Sequence, residues 1–422
     1  MRTNKMNYDS THSNALDLHP DTGSLSTDAY PAQARFILQI LGKLEHGALT
    51  MQFLDGQSAT FGKLDDQHPR PLTMTLKNWD VCHAALKSGD IGFAETYIDK
   101  HWTTDNLPGL IELFVRNRQT VESVIYGTWW GNLLYRIKHL FNNNSKAGSR
   151  KNIHAHYDIG NDFYQLWLDP SMTYSSALFS DSHVENLQEA QLAKYHRVLK
   201  QLDIEKGARI LEIGCGWGGF AEIAAREAGA HVTGLTLSTE QLQFANQRLQ
   251  QAGVVDRTEM LLQDYRDIDG QFDAIASIEM FEAVGEKYWP GYFSCVSRNL
   301  KAGGRACIQS IVIADELFER YRKSTDFIQQ YIFPGGMLPS PSVFCRNAEQ
   351  HGLKVVDTLL FGIDYARTLA EWRQAFKQQL PRLLTQGFDD RFLRTWDFYL
   401  AYCEAGFRAG SINVAQFTLQ KI

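Results

Sequence analysis

The glycine-rich segment LEIGCGWGGF, residues 211–220, constrains the fold of this chain more than any other stretch. It follows the apolar run ARILEIG and precedes a helical pattern that begins near Trp217, so its glycines lie where a strand turns into a helix. Glycine lets the backbone of such a turn come close to a ligand, with backbone N–H groups facing that ligand. A strand, a glycine turn and a helix in this order predict a nucleotide-binding α/β sheet.

The sequence after the turn alternates between strand-like and helical segments. The strand-like segments are HVTGLTL, TEMLLQD, FDAIASI and GRACIQSIVI, and helical patterns begin at Thr239 and span 287–300. This alternation predicts a doubly wound α/β domain with a parallel sheet. Two later strands, LKVVDTLLFG and INVAQFTLQ, flank helices at 367–386 and 389–408, and we expect them to form an antiparallel edge.

The acidic residues around the turn favour S-adenosylmethionine (SAM) as the ligand. A dinucleotide site places an acid about 20 residues after the glycines, but the segment there, HVTGLTLS, contains none. Glu212 precedes the first glycine by two residues, where a carboxylate suits a cationic ligand better than a pyrophosphate. No Walker lysine follows, which excludes a P-loop. The segment QDYRD, 263–267, ends the third strand, where an acid can contact the adenine amino group. A dinucleotide remains the alternative.

Composition limits the partners and the compartment. The net charge of −6 gives the chain no general attraction to polyanions, so nucleic acid is not expected as a partner. Six scattered cysteines without a CxxC pair predict neither disulfides nor a metal site, which fits a reducing cytoplasm. We find no run of 18 apolar residues and no signal-peptide pattern, so the expected location is cytoplasmic.

The chain divides into four parts. Residues 1–30 are polar and expected to be disordered, and 31–123 predict a small α+β domain with a hairpin at Asp55-Gly56. Residues 124–150 contain an aromatic, basic helical pattern and a linker, and 151–422 form the α/β domain. Between 123 and 157 there is no Asp or Glu, which is typical of peripheral attachment to an anionic membrane surface. A helix packed on the next domain, followed by an ordinary linker, explains this part equally well.

Six motifs give a resemblance to a known family. They are HYDIGNDFYQLWLDPSMTYSSALF (156–179), LEIGCGWGGF, GLTLSTEQ (234–241), LLQDYRD, SIEMFEAVG (277–285) and YIFPGGMLPS (331–340). Over residues 150–410 the chain resembles the cyclopropane-fatty-acyl-phospholipid synthases and mycolic acid cyclopropane synthases. The resemblance implies a Rossmann-like class I SAM-dependent methyltransferase sheet with helical additions. It also implies methyl transfer to the cis double bond of an unsaturated phospholipid acyl chain, a cyclopropane product, bicarbonate as the base, and work at the inner membrane face. Dimers are common in this family, so a homodimer is compatible with the resemblance.

The resemblance also assigns site residues. The implied SAM contacts are Tyr174, Ser175, Gly214, Cys215, Gly216, Thr236, Leu237, Gln241, Asp264 and Tyr265. Glu282 and Tyr365 match the family's bicarbonate site, while Ser176 and Gln309 replace its usual cysteine and histidine. No metal is implied.

Some assignments stay open at this level. Ala283 and Gln309 replace family histidines and Ser176 replaces a cysteine, which could stop ring closure, so a methyl-branched or methylene lipid is an alternative product. An amine N-methyltransferase on the same scaffold and a non-catalytic lipid- or SAM-binding protein are alternative functions. Glu279 is either a second carboxylate that stabilises a cation or a solvent-facing residue. The stretch FPGGMLP, 333–339, resembles a lid over the acyl chain. The aromatic residues expected around that chain are Tyr157, Phe163, Tyr164, Trp167, Phe179, Phe281 and Phe333.

Overall fold

The computed structural model describes residues 29–66, 69–125, 159–179 and 186–422. The start expected to be disordered, 1–30, lies outside these ranges except for its last two residues. The helical pattern and linker at 124–150 lie outside them except for the first two, and Tyr157 is also outside. Our expectations for those segments therefore remain predictions from sequence. No helix in the described ranges combines the length and apolarity needed to cross a lipid bilayer.

The N-terminal unit is a small α+β structure, as predicted. Its elements are α1 (Ala32–Leu41), β1 (Gly47–Gln52), β2 (Ser58–Lys63), β3 (Leu72–Leu76), α2 (Asp80–Ile98), β4 (Trp102–Thr103), α3 (Leu107–Arg116) and α4 (Arg118–Ile125). The strands form a sheet in the order β2-β1-β3-β4. The β1–β2 hairpin turns at the expected position, where Gly56 has a φ of +82° and the Asp55 carboxylate accepts the N–H of Gln57.

The remainder of the described chain forms the larger α/β unit. Its helices are α5 (Asn161–Gln165), α6 (Leu187–Leu202), α7 (Gly219–Glu227), α8 (Thr239–Gln251), α9 (Trp289–Asn299), α10 (Asp315–Tyr321), α11 (Phe327–Tyr331), α12 (Pro341–Gln350), α13 (Gly362–Gln378), α14 (Leu380–Thr385) and α15 (Asp390–Arg408). Its strands are β5 (Arg209–Ile213), β6 (His231–Thr236), β7 (Thr258–Leu262), β8 (Phe272–Ile278), β9 (Leu300–Ile313), β10 (Leu353–Leu360) and β11 (Ile412–Lys421).

These seven strands pair in one sheet of order β10-β11-β9-β8-β5-β6-β7. The strands from β9 to β7 run parallel, while β11 pairs antiparallel with both β9 and β10. The predicted doubly wound sheet and its antiparallel edge are therefore confirmed. Because β6 and β8 lie on opposite sides of β5, the chain reverses its direction across the sheet at β5. The glycine turn and the loop after β8 thus meet at one edge, where ligands bind in such folds.

The two units share a continuous hydrophobic core rather than a loose junction. The core cluster runs from Tyr30 in the N-terminal unit to Val414 in β11. Helix α15 forms much of the contact between the two units. Its Phe398 ring, for example, packs on Phe93 of α2. Tyr97 adds a hydrogen bond of 2.7 Å from its hydroxyl to the Asp397 carboxylate. A shared core of this kind fixes the N-terminal unit against the catalytic edge of the sheet.

Candidate active site

The glycine turn after β5 has the backbone that only glycine adopts readily. Gly214, Gly216 and Gly218 have φ values of +85°, +51° and +79°, in the left-handed region. A Cβ on Gly214 would lie 3.0 Å from the Met280 side chain. However, the N–H groups of Gly214 and Cys215 both donate to the carbonyl of Leu235, at 3.0 and 2.8 Å. Our expectation that these N–H groups face a ligand is wrong for these two, which instead tie the turn to β6.

Glu212 places a buried carboxyl group beside the turn. It is 3% exposed, lines a cavity, and its Oε2 has no hydrogen-bond partner within the described residues. Burial raises the pKa of this carboxyl well above its usual value, and the nearby charge of Arg248 opposes that rise. A buried carboxylate oxygen that lacks a donor is costly unless a ligand supplies one. The site therefore fits the ammonium group or a hydroxyl of SAM, and Glu212 would hold it.

The far side of the turn carries the residues expected around ribose and adenine. The Thr236 hydroxyl donates to Oε1 of Gln241 at 2.9 Å, so the Gln241 amide nitrogen is the end that can donate to a ligand. Asp264, in contrast, accepts from Nε and Nη2 of Arg266 at 2.8 and 2.5 Å. Its carboxylate is therefore neutralised by an ion pair. Leu237 and Tyr265 line the same cavity.

A second carboxylate, that of Glu279, lies at the centre of the site. Glu279 follows β8 and lines the cavity, with a left-handed φ of +50°. Its Oε1 accepts the backbone N–H of Ser176 at 2.8 Å and the amide of Gln309 at 2.7 Å. Its Oε2 accepts the hydroxyl of Tyr365 at 2.6 Å. The sequence left Glu279 as either a cation-stabilising carboxylate or a solvent-facing residue. These hydrogen bonds exclude the solvent-facing interpretation. The Ser176 hydroxyl points elsewhere and donates to the carbonyl of Ala177, so this residue contributes its backbone.

A buried chain of hydrogen bonds sets the orientation of Gln309. Arg197, which can only donate, contacts Oε1 of Gln416 at 2.6 Å and the Asp357 carboxylate at 2.6 Å. Nε2 of Gln416 consequently donates to Oε1 of Gln309 at 2.9 Å. That leaves Nε2 of Gln309 as the end that faces Glu279. Gln309 and Gln416 are direct neighbours across β9 and β11, and both are fully buried.

Glu282 lies three residues after Glu279, and its carboxyl group has different hydrogen-bond partners. Its Oε1 accepts the backbone N–H of Ile311, while its buried Oε2 has no hydrogen-bond partner within the described ranges. Burial, reinforced by the charge of Glu279, raises the pKa of Glu282 to about 8. The Glu282 carbonyl also accepts the N–H of Met337 at 2.9 Å, which ties the expected lid to the site. Glu282 is therefore largely protonated at neutral pH.

Two buried polar residues of α6 that support Ser175 were not predicted from the sequence. Nζ of the fully buried Lys194 donates to Ser175 Oγ and to Gln191 Oε1, both at 2.6 Å. The amide of Gln191 donates to the Ser175 carbonyl at 2.9 Å. Burial lowers the pKa of Lys194 to about 7, although the charges of Glu279 and Asp169 oppose this shift. A signal was present, since polar Gln191 and Lys194 occupy the apolar face of the helix with Ala190, Val198 and Leu202.

One cavity of about 610 Å³ joins these groups, a size typical of small-molecule sites. It extends from the glycine turn past both glutamates and along residues 333–338 to the N-terminal unit. Its lining includes Tyr174, Ser175, Gly214, Cys215, Gly216, Thr236, Leu237, Gln241, Asp264, Tyr265, Glu279, Glu282 and Tyr365. Gln309 and Ser176 lie behind Glu279 and reach it by their hydrogen bonds.

The aromatic residues expected around the acyl chain are mostly elsewhere. Phe333 lines the cavity, as expected. Phe163, Tyr164 and Trp167 instead pack against one another and against Trp396 in the core. Phe281 is fully buried beside Trp289, and Phe179 packs under the Arg367 guanidinium. Single aromatic residues near a site more often serve the core, and that is their role here.

The chain resembles known proteins over most of its length. The family model described as mycolic acid cyclopropane synthetase matches residues 144–417. The chain is 38% identical over 384 residues to the tuberculostearic acid methyltransferase UfaA1 of Mycobacterium tuberculosis, covering 89% of this chain and 88% of that protein. It is 35% identical over 356 residues to the cyclopropane-fatty-acyl-phospholipid synthase of Escherichia coli, covering 83% and 88%.

A solved structure also resembles the larger unit. Mycolic acid cyclopropane synthase CmaA1 complexed with SAH and CTAB superposes with a TM-score of 0.61 at 33% identity, covering 64% of this chain and 98% of that chain. The family model alone spans well over half of the sequence. The chain therefore belongs to the mycolic acid cyclopropane synthetase family and is a SAM-dependent methyltransferase.

Proposed function

We propose that this protein transfers the methyl carbon of SAM to the cis double bond of an unsaturated phospholipid acyl chain and forms a cyclopropane. One observation carries the proposal. The cavity that begins at Glu212 and the glycine turn passes the Glu279 carboxylate and continues between apolar side chains. An acyl chain in that cavity brings its double bond between a methyl donor and a base, away from water. The names of the cyclopropane synthase relatives support the same substrate class.

Bound SAM supplies a methyl carbon, already activated by its sulfonium, that the π electrons of the alkene attack. This leaves a cation on the neighbouring acyl carbon. The protein must shield that cation from water and remove a proton so that its charge is lost. The apolar cavity excludes water, which would otherwise trap that cation. A C–H bond of the transferred carbon breaks, its electron pair closes the ring, and the proton passes to a carboxylate oxygen.

Glu279 is the proposed acceptor of that proton. Three donors stabilise its charged form: the N–H of Ser176, the amide of Gln309 and the hydroxyl of Tyr365. Glu282 carries a raised pKa of about 8 and keeps its proton at neutral pH, so it serves as a neutral neighbour. The donors that the family resemblance assigns to bicarbonate are thus engaged by a side chain. We propose that Glu279 replaces the bicarbonate ion in this protein.

A methylene or methyl-branched lipid is the second candidate product. It is favoured by the relative named tuberculostearic acid methyltransferase, which matches 89% of this chain. In this case a hydride shift moves the cation onto the carbon that carries the new methyl group. Loss of a proton from the transferred methyl group to Glu279 then leaves a methylene group on the acyl chain, and a saturated branch needs a further reductant. Both products require the same carboxylate.

The test uses the purified full chain, SAM and vesicles of dioleoyl phosphatidylglycerol. We expect release of S-adenosylhomocysteine and a gain of one CH₂ per modified chain by mass spectrometry. Resistance of the product to mild hydrogenation identifies a ring, and uptake of hydrogen identifies a methylene group. A protein that binds SAM but releases no S-adenosylhomocysteine with these vesicles, or that methylates soluble amines instead, contradicts the proposal.

The location and assembly form part of the same proposal. We place the enzyme in the cytoplasm, attached peripherally to the anionic inner face of the membrane. The support is the composition of 124–150, which carries aromatic and basic residues and no acid. A homodimer follows from the family resemblance alone, and light scattering of the purified protein tests it.

A further inference from the structure

We infer that the N-terminal unit forms the far end of the acyl-chain cavity and binds the methyl-terminal segment of the substrate, so that it selects acyl length. This inference rests on the proposed function. The unit lies outside residues 144–417, which the family model matches. The family match therefore does not account for its contribution to the cavity.

The cavity lining crosses from one unit into the other. From the N-terminal unit it includes Ile37 and Leu41 of α1, Met51 of β1, Met74 of β3, and Val81 and Cys82 of α2. From the catalytic unit the same cavity includes the glycine turn and Glu279. A ligand that reacts at Glu279 can therefore extend into the N-terminal unit without leaving the cavity.

Strand pairing fixes the end wall of this compartment. Met51 and Met74 are direct partners in the parallel pair of β1 and β3, so their side chains lie together on one face of the sheet. They are only 2% and 3% exposed, although both line the cavity. Methionine side chains are flexible and polarizable and suit a surface that accommodates alkyl groups. With the α1 and α2 side chains that line the same cavity, this pair of methionines forms an apolar end to it.

The middle of the cavity is shared between the units. Phe93 of α2 and Phe114 of α3 line it on the N-terminal side. Phe398 and Tyr402 of α15, with Ile328 of α11, line it on the catalytic side. The passage between the reacting groups and the methionine wall is therefore mainly apolar, and its buried Asp90 carboxylate is engaged by the Tyr402 hydroxyl and the N–H of Phe327.

Charge decides which end of the lipid occupies the compartment. The side chains of Ile37, Leu41, Met51, Met74 and Val81 offer a phosphate neither a charge nor a hydrogen bond, and burying a phosphate there would be costly. Arg320 of α10 is exposed and also lines the cavity, so it lies at an opening to solvent. Arg118 of α4 also lines the cavity. Burial lowers the pKa of Arg320, and the positive charge of Arg118 lowers it further. The headgroup fits at this opening, and the methyl end of the acyl chain fits against Met51 and Met74.

The first experiment measures binding without turnover. A fluorescent conjugated polyene fatty acid is titrated into wild type, Met51→Trp, Met74→Trp and the control Leu54→Trp, whose native side chain is 48% exposed outside the cavity. We expect the two cavity variants to bind the probe about tenfold more weakly, the effect of losing roughly two buried methylene contacts. We expect Leu54→Trp to match wild type. Equal binding by all four proteins overturns the inference.

The second experiment measures selectivity on phosphatidylglycerol vesicles with myristoleoyl, oleoyl or eicosenoyl chains. Met51→Trp and Met74→Trp should lose turnover on the two longer chains while keeping it on myristoleoyl lipid. Met74→Ala, which enlarges the compartment, should shift the preference the opposite way, toward eicosenoyl lipid. Thermal melting shows that each variant is folded, and Met74→Ala decides the question if the tryptophan variants do not fold.

The outcomes separate the two proposals. Unchanged length preference in folded Met74→Ala and in folded tryptophan variants overturns the inference, even if wild type is fully active. If wild type releases no S-adenosylhomocysteine from any vesicle, the proposed function fails, and the probe titration alone then decides whether the compartment binds alkyl chains.

Discussion

The hydroxyl of Tyr365 donates to Oε2 of Glu279 across 2.6 Å, and so joins the start of α13 to the loop after β8. Tyr365 is a buried residue of the cavity lining, and its ring packs on Phe407 of α15. The position of this donor is therefore set by the core rather than by the ligand. A carboxylate with preset donors needs no reorganisation when a positive charge forms beside it.

Removing the Tyr365 donor should change the pH dependence of turnover. Burial raises the pKa of Glu279, and the hydrogen bond from the Tyr365 hydroxyl opposes that rise. In Tyr365→Phe the pKa of Glu279 should rise, so the acidic limb of kcat should move up by about one to two pH units, since such bonds are worth about 1.5–3 kcal/mol. Tyr331→Phe, which alters a hydroxyl bonded to Glu95 away from the cavity, is the control. If the acidic limb of the kcat profile does not move in Tyr365→Phe, Glu279 is not the proton acceptor.

Glu279→Gln tests the proposed base directly. We expect kcat on oleoyl vesicles to fall by about 10²- to 10³-fold, the usual contribution of a general base, with SAM affinity unchanged by calorimetry. Glu259→Gln, on the exposed face of β7, is the matched control. Adding bicarbonate to wild type should not raise its rate. A bicarbonate-dependent wild type, or a fully active Glu279→Gln, would show that the base is elsewhere.

The chain of amides behind Glu279 should also be needed for activity. Gln416→Leu removes the donor that fixes Gln309, which can then present its oxygen to the Glu279 carboxylate. Loss of one hydrogen bond to a charged group predicts a fall in kcat of about tenfold or more. Gln420→Leu on the same strand, whose amide reaches only the Gly303 carbonyl, should behave as wild type. Equal rates for the two variants would remove Gln416 from the catalytic arrangement.

The raised pKa of Glu282 predicts that the free energy of unfolding depends on pH. Its pKa is about 8 in the folded protein against an ordinary 4.5, so the folded state holds this proton where the unfolded state has lost it. The contribution is complete below about pH 4.5 and is lost as the pH rises toward 8. The free energy of unfolding of wild type should therefore fall over this range relative to Glu282→Gln, as measured by urea denaturation. A constant difference between the two proteins across that range would exclude the raised pKa.

Membrane attachment can be tested on the segment outside the described residues. Replacing Trp129 and Trp130 by Ala should weaken sedimentation with anionic vesicles by about tenfold or more, because each indole contributes roughly 1.5–3 kcal/mol when buried. Raising the salt concentration should weaken it further. Phe36→Ala, at an exposed position of α1, is the control. Sedimentation that is insensitive to both changes would exclude this segment as the membrane anchor.

Local pattern was sufficient to predict most of the fold. The strand runs, the glycine turn and the antiparallel edge made by LKVVDTLLFG and INVAQFTLQ follow from periodicity and short-range order, which neighbouring residues determine. The N–H groups of Gly214 and Cys215 could not be placed this way, because their acceptor, Leu235, belongs to another strand.

The centre of the site depends on contacts that sequence reasoning does not see. Ser176, Gln309 and Tyr365 come from a loop, a strand and a helix, and only the folded sheet brings them to Glu279. The orientation of Gln309 depends further on Arg197, which is more than 100 residues away. For the same reason Trp167 was expected in the cavity, whereas tertiary packing places it against Trp396.

The left-handed backbone of Glu279 has an evolutionary consequence. At a φ of +50° glycine is the residue that this position accommodates with least strain. A single Glu-to-Gly exchange would leave the donors of Gln309 and Tyr365 in place around a gap the size of a carboxylate, which a dissolved anion could fill. On the proposed role of Glu279, an enzyme that carries its own base and one that takes up a dissolved anion as its base would thus differ by a single residue, without a change of fold.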